Sequence, residues 1–312
     1  MTEPSSLTAR LSTCSFRGDF EACRALCESV DRFVPETIEH WLIVPTKDLD
    51  LFGGLAGGRR RIVAEDEFLP RGFVKAPMPS PAVRKLLRLP RRNIYLTPFS
   101  RPVRGWIAQQ MMKIAATAAA STDIVVHVDS DNVFIRELTP AHLVRDGRVR
   151  LYRNPEKVEL DSHRAWHAAA AKLLGLPPGD WHGAEYIDAL VVWRRSALVA
   201  MTERIEAVTG KSWQVALSRT PHFAEYVLYG VHADKIMGLD AAGLFAAPRS
   251  LCHSRWSGDF SGQADEDAFV AGVEPDHVSC LVQSTIDLPL ERRLALYARV
   301  QAYAARQDSE RG

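Results

Sequence analysis

Asp129 and Asp131 stand one residue apart, directly after the apolar run Ile124-Val125-Val126-His127-Val128. Side chains alternate along an extended segment, so both carboxylates point to the same side. Two like charges held together and partly desolvated repel each other unless a cation or strong donors compensate. A divalent metal ion does this well. Hard carboxylate oxygens suit Mg2+ or Mn2+, and such ions complete their shell with phosphate oxygens and water. Asp-Ser-Asp-Asn is also good turn chemistry, so a turn with one capping and one solvated aspartate is the competing reading. Position favours the metal, because ligands of open parallel sheets bind outside the carboxyl ends of the strands.

Gln110 and Lys113 are a second pair, one turn apart in a segment of helical periodicity. They can present an amide and a compact ammonium charge to one pocket, where the lysine would suit a phosphate. The alternative is a solvated helix face.

The elements that must position these groups are legible as periodicity. Residues 7–15 read as a strand. Gly18-Asp19 turns the chain, and Asp19 is a plausible N-cap for Phe20, Cys23, Leu26, Cys27 and Val30 at helical spacing. Residues 40–44 form a second strand, followed by the loop Pro45-Thr46-Lys47-Asp48, and residues 61–64 a third. Residues 70–102 are rich in proline and arginine and read as an irregular excursion, with 93–96 extended. A helix over 104–120 carries Ile107, Met111, Ile114 and Ala118 on one face and Trp106, Gln110, Lys113 and Thr117 on another. It feeds the strand 124–128, whose unbroken apolar character predicts cover on both faces. Further strands are expected at 148–153 and 189–193, helices at 163–174, 196–209 and 223–229, a last strand at 250–253, and a terminal amphipathic helix at 291–305. This alternation predicts an α/β protein with a mostly parallel central sheet flanked by helices and a less regular second half. With no internal repeat or linker, residues 1–285 read as one domain and 286–312 as a C-terminal helix and tail.

Thirty-nine Lys and Arg against thirty-eight Asp and Glu leave 312 residues with a formal charge of +1. That balance excludes holding nucleic acid by bulk charge, so an anionic ligand must be held locally. No window offers the ~18 apolar residues of a membrane span. The start, MTEPSSLTAR, lacks the order of a signal peptide, so a cytoplasmic protein is expected. Arginines 292, 293, 299 and 306 would let the terminal helix lie on a membrane surface, but its short apolar stripe favours a lid or core role. Five cysteines in no common zinc spacing read as reduced thiols, and Cys23 and Cys27 as core.

The segment HVDSDNVF, preceded by the helix GWIAQQMMK, resembles the DxD region of glycosyltransferases with the GT-A fold, the nucleotide-diphospho-sugar transferase superfamily. TCSFRGDFEAC, the WxxQQxxK helix and FAEYVLYG are similar to segments of a bacterial family of glycosyltransferase-like proteins, over residues 11–256. The resemblance implies a Rossmann-like GT-A fold with a nucleotide-binding half at about 7–135 and an acceptor half at about 136–285. It also implies metal-dependent transfer of a sugar from a nucleotide-diphosphate donor, UDP-sugar favoured, to a saccharide or other hydroxyl acceptor in bacterial glycan synthesis, with inversion slightly favoured.

On this resemblance Asp129 and Asp131, joined by His253, would hold Mn2+ or Mg2+. Cys14, Ser15, Arg17 and Asp19 after the first strand, Lys47 after the second, and Gln110, Lys113, Ser130 and Arg255 would contact the nucleotide or its phosphates. Glu225 would act as general base on the acceptor hydroxyl, and Asp188 would bind donor or acceptor. Trp181, His182 and Tyr186 would stack on a sugar face. Each has a plainer reading: Asp19 as a cap, His253 as a satisfied loop histidine, Glu225 complementing a helix dipole, and the aromatic residues as core. A sugar nucleotidyltransferase is the nearest alternative, though its glycine-rich loop is not matched by 13–19. A non-catalytic nucleotide- or carbohydrate-binding module on the same fold is another.

Overall fold

β1 (Ala9–Cys14), β2 (Glu39–Val44) and β3 (Arg60–Ala64) lie side by side and parallel, with β1 almost wholly buried and β3 at the edge with Arg61 exposed. The computed structural model describes residues 7–77, 85, 93–156, 161–258, 260 and 262–311. After β3 the chain forms a small antiparallel sheet from β4 (Val74–Lys75), β5 (Ile94–Leu96) and β6 (Val103–Arg104). It then returns through the helix Gly105–Ala118 to β7 (Ile124–Val128), which pairs parallel to β1 on the side opposite β2. The short β8 (Asn132–Phe134) leads away, through β9 (Val144–Arg145) and β10 (Arg148–Tyr152), to β11 (Leu190–Arg194), which runs antiparallel along β7.

The central sheet therefore has the order β11-β7-β1-β2-β3. From β1 the chain winds outward to β2 and β3, then crosses back to β7. Strand order reverses between β1 and β7, and a crevice opens outside the carboxyl ends of those two strands. The expected α/β class with a mostly parallel sheet flanked by helices is what the chain adopts.

All five residues of β7 are buried, as their continuous apolar pattern requires. The helix Gly105–Ala118 buries Ile107, Met111 and Ile114, and also Gln110, Lys113 and Thr117. Gln110, Lys113 and Thr117 are thus not on a solvated face, although Trp106 at the start of the same side is exposed. Thr117 Oγ1 pairs with His127 Nε2 on β7 at 2.9 Å, one of the contacts that lets polar groups enter the interior.

β12 (Leu244–Ala247) extends β10, while β13 (Cys252–Arg255), β14 (Ser279–Val282) and β8 form a separate sheet in the order β13-β14-β8. The strand expected at 250–253 starts two residues later and is not the last. Ser-Cys-Leu-Val of β14 is too short an apolar run for periodicity to identify.

The terminal helix Leu290–Ser309 closes a second core, with Leu296, Tyr297, Val300 and Ala304 packed near Val133, Phe269 and Val282. Its stripe is covered, Arg293 is buried, and Arg292 and Arg299 pair with Glu266. The helix is therefore part of the core and has no free apolar face to lay on a membrane. No helix among the described residues is long and apolar enough to cross one.

One tight approach makes a test of this packing. Gly230, in the helix Glu225–Val231, lies against the buried Tyr186 ring, and an added Cβ would fall 2.2 Å from its Cγ. Gly230→Ala is expected to cost about 1–3 kcal/mol of stability through overpacking. The midpoint of urea unfolding checks it.

Candidate functional site

Asp129, Ser130 and Asp131 form the turn between β7 and β8. The turn is closed by the Asn132 N–H, which donates to the Asp129 carbonyl at 3.1 Å. Asn132 is itself fixed, donating from Nδ2 to the same carbonyl at 3.2 Å and accepting from Cys252 Sγ at 3.2 Å. Turn chemistry and a shared carboxylate site coexist here, because both side chains still line one cavity.

Asp131 is held from two directions. Its Oδ2 accepts from the Ser284 N–H at 3.0 Å. Its carbonyl accepts from the Tyr297 hydroxyl at 2.8 Å, and that hydroxyl accepts from Val282 N–H at 2.9 Å. Burial and then the neighbouring Asp129 charge push the Asp131 carboxyl up to about 6.

Lys113 sits at the centre of the charge arrangement. Its Nζ lies 3.0 Å from Asp129 Oδ1, 3.2 Å from Glu225 Oε1 and 2.7 Å from the Tyr226 hydroxyl. Burial disfavours its charge, yet Asp129, Tyr226 and Glu225 outweigh that and hold the ammonium well above the ordinary lysine value. Burial raises the Glu225 carboxyl, with Lys113 pulling against it. Glu225 is the first residue of its helix, as expected, and its N–H donates to Gln110 Oε1 at 2.9 Å. Gln110 Nε2 is buried without a partner among the described residues.

A cavity of about 690 Å³ brings together Asp129, Ser130, Asp131, Gln110, Lys113, Asp188, Glu225 and Asp19. Asp188 is positioned by Ser250 Oγ, 2.8 and 2.7 Å from its two oxygens, and by the Ala189 N–H at 2.8 Å. A second cavity of about 460 Å³ adjoins it outside the ends of β1 and β2, sharing Asp19, Trp106 and Gln109. Cys14 and Ser15 line this second space. Burial pushes the Cys14 thiol up to about 12, so it is inert as a nucleophile. Asp19 occupies the N-cap position but its side chain makes no cap bond. It hydrogen-bonds Ser130, and burial raises its carboxyl against that bond.

Four expected contacts are not brought to these cavities. Arg17 is exposed and paired with Asp48 at 2.7 Å, and Lys47 is exposed outside both linings. His253 is turned away as well: its Nε2 meets the Phe269 carbonyl at 2.8 Å and its ring packs on Phe269 and His277. Strand alternation explains this. Cys252 reaches inward to Asn132, so the next side chain points to the opposite face. Arg255, two residues on, shares the face of His253 and places its guanidinium 5.9 Å from the Phe260 ring. Among the described residues no group of three or more His, Cys, Asp or Glu could hold a metal ion. An ion here would have two protein carboxylates and no histidine.

The expected aromatic platform is also relocated. Tyr186 is core and Trp181 packs on His167, so neither reaches the cavity. Trp106, Trp166 and Trp256 line it instead, with Trp106 and Trp166 rings 5.7 Å apart and His163 stacked on Trp166 at 4.6 Å. His163 Nδ1 meets Glu185, whose other oxygen accepts the N–H groups of Tyr186 and Ile187. Sequence reasoning missed Glu65, which follows β3 and holds Tyr95 at 2.8 Å and Lys75 at 3.3 Å on the wall of the second cavity. Glu65, Asp66 and Glu67 form an acidic triplet. Only the end of a parallel strand distinguishes the first of them.

The chain belongs to a family of unknown function, DUF6492, whose profile matches residues 6–306. Among solved structures it is similar to mouse xyloside xylosyltransferase 1 in its apo form, with 8% identity, 90% of this chain and 99% of that chain covered, and a TM-score of 0.45. No curated protein matches the sequence.

Proposed function

We propose that this member of the family is a glycosyltransferase that moves a sugar from a nucleotide-diphosphate donor, UDP-sugar by default, to a hydroxyl acceptor. One observation carries the reading. At the strand-order reversal between β1 and β7, a carboxylate pair and a buried lysine face a cavity that adjoins a second one beyond β1 and β2. The two spaces suit the two ends of a nucleotide sugar. The resemblance of HVDSDNVF to a DxD region supports the same assignment.

The donor set fits a hard divalent ion. Asp131 is pushed toward protonation by burial and by Asp129, and a cation between the two relieves that repulsion. Asp129 and Asp131 would hold Mn2+ or Mg2+, with substrate oxygens and water completing the shell. When bound, the ion stabilises charge developing on the leaving diphosphate.

The remaining work falls to this chain's own side chains. Lys113 adds a fixed ammonium beside Asp129, and Asp19, which lines both cavities, hydrogen-bonds Ser130 of the aspartate turn. Gln110 offers its free Nε2 to a donor oxygen. Asp188, fixed by Ser250, takes a sugar hydroxyl, and Trp106 and Trp166 present apolar faces to a sugar ring. Glu225 accepts the acceptor proton, its burial raising the carboxyl toward a useful range while Lys113 keeps it ionised.

Thermal unfolding with a panel of nucleoside diphosphates and their sugars, with and without Mn2+, tests this. A nucleotide at ~100 times its dissociation constant adds about 2.7 kcal/mol of stability, a rise of several degrees in Tm. The rise is expected only when ion and nucleotide are present together. A protein that responds to no nucleotide in Mn2+ or Mg2+ overturns the assignment.

A further inference from the structure

We infer that the outer face of the small sheet β4-β5-β6 docks on an anionic lipid bilayer. Val74 stands opposite Leu96, and Ile94 opposite Arg104, while Tyr95 and Val103 alternate inward and are buried. The outward face thus presents Val74, Leu96 and Ile94, which are 62%, 49% and 39% exposed, while Phe99, 37% exposed, lies near Gly72 in the turn before β4. Most large apolar side chains of a folded protein are covered, and contiguous exposed ones mark interaction sites. These four are half of the eight exposed large apolar side chains among the described residues.

Charge identifies the partner. Residues 68–122 contain ten of the chain's 39 Lys and Arg and none of its 38 Asp and Glu. Lys113 and Lys75 of this stretch are paired inside the fold with Asp129, Glu225 and Glu65, and the acidic triplet 65–67 precedes it, so the charge that bears on this face is that of the exposed basic side chains around it. Arg71, Lys85 and Arg101 are exposed, as is Arg104, which also lines the smaller cavity. The Arg219 guanidinium adds to them by donating to the Phe99 carbonyl at 2.8 Å.

A protein partner would need a shaped complement, whereas these strands are two or three residues long and present protruding side chains. A bilayer interface accepts such side chains without shape matching and attracts the surrounding arginines to anionic headgroups. The inner face of the same sheet supplies Tyr95 and Lys75 to the wall of the smaller cavity. Docking here would set that cavity beside the lipid surface.

The full chain is tested by co-sedimentation with phosphatidylcholine vesicles, with and without phosphatidylglycerol, at low and high salt. Binding is expected only to the anionic vesicles and is expected to weaken with salt. The double variants Val74→Ser/Leu96→Ser and Arg71→Gln/Arg101→Gln should each weaken it roughly tenfold or more. Both should leave the melting temperature and any nucleotide response as in the parent chain. The arginine variant lies outside the strands, so it keeps the test valid if the strand variant fails to fold. Equal binding to neutral vesicles, no binding to either, or loss of self-association in the apolar variant without vesicle binding would overturn the assignment, the last giving the face to a second copy of the chain.

Discussion

Lys113→Met is expected to lower the free energy of unfolding by about 3–5 kcal/mol, the usual cost of removing one partner from a buried ion pair. The lysine neutralises two carboxylates of unequal exposure: the Asp129 side chain is 33% exposed and that of Glu225 only 6%. Water can take over part of the solvation of Asp129. Nothing comparable reaches Glu225, so its stranded charge dominates the loss. Without Lys113 the Glu225 carboxyl rises further above its ordinary value, and the deficit should grow as pH rises through that value and shrink in acid. Lys113→Met combined with Glu225→Gln should recover most of the stability, because both charges are then gone. Urea unfolding of the single and double variants near pH 5 and near pH 7.5 reads this directly. A single variant as stable as the parent would show that the lysine is solvated and the charge cluster is not a unit.

The second large effect has the opposite sign. Asp131→Asn is expected to stabilise the protein at neutral pH while abolishing divalent-ion-dependent nucleotide binding. In the folded chain the Asp131 carboxyl titrates near 6, against an ordinary value of 3.8. The fold therefore prefers the protonated form. That preference is fully present below the ordinary value and is lost as pH rises through about 6, leaving an ionised, disfavoured group at neutral pH. At 1.36 kcal/mol per pH unit, the penalty is about 3 kcal/mol. Asparagine keeps an oxygen for the Ser284 N–H and removes the charge. The gain should vanish below about pH 4, which unfolding curves across that range check. A variant that is stabler yet blind to nucleotide and Mn2+ would mark Asp131 as retained for binding at the expense of stability. Unchanged nucleotide binding would remove it from the site.

The parts of the molecule that sequence revealed are those governed by local pattern. β7 is Ile124–Val128 because four of its five residues are β-branched and apolar, and the helix Gly105–Ala118 follows a clear period. Asp129, Asp131, Gln110, Lys113, Asp188 and Glu225 all meet at one cavity, although 115 residues separate Gln110 from Glu225. Chemistry-bearing types at strand ends and on one helix face were enough to nominate them.

What sequence withheld depends on phase and on distant partners. His253 was expected to face inward, but a strand shifted by one residue presents the other set of side chains, and β13 has that phase. Tyr226, Ser284 and Tyr297 touch Lys113 or the aspartate turn from 113, 153 and 166 residues away. Nothing local marks a tyrosine or a serine N–H as a partner for such a group. Trp106 lines the cavity from the helix face it shares with Gln110 and Lys113, whereas Trp181 and Tyr186 do not reach it, since an aromatic residue in a loop gives no sign of which surface it will cover.

The Tyr297 bond to the Asp131 carbonyl bears on how the protein matures in the cell. At translation speeds of roughly 5–20 residues per second, the 166 residues between them delay this clamp by about ten to thirty seconds after the aspartate turn is made. Throughout that interval the nascent polypeptide carries the acidic turn without its final brace. A chain halted after β11 and before the last helix would have the central strands complete and the acidic turn unclamped, a natural substrate for proteolytic clearance. The final bracing of the aspartate turn is thereby tied to synthesis of the last helix.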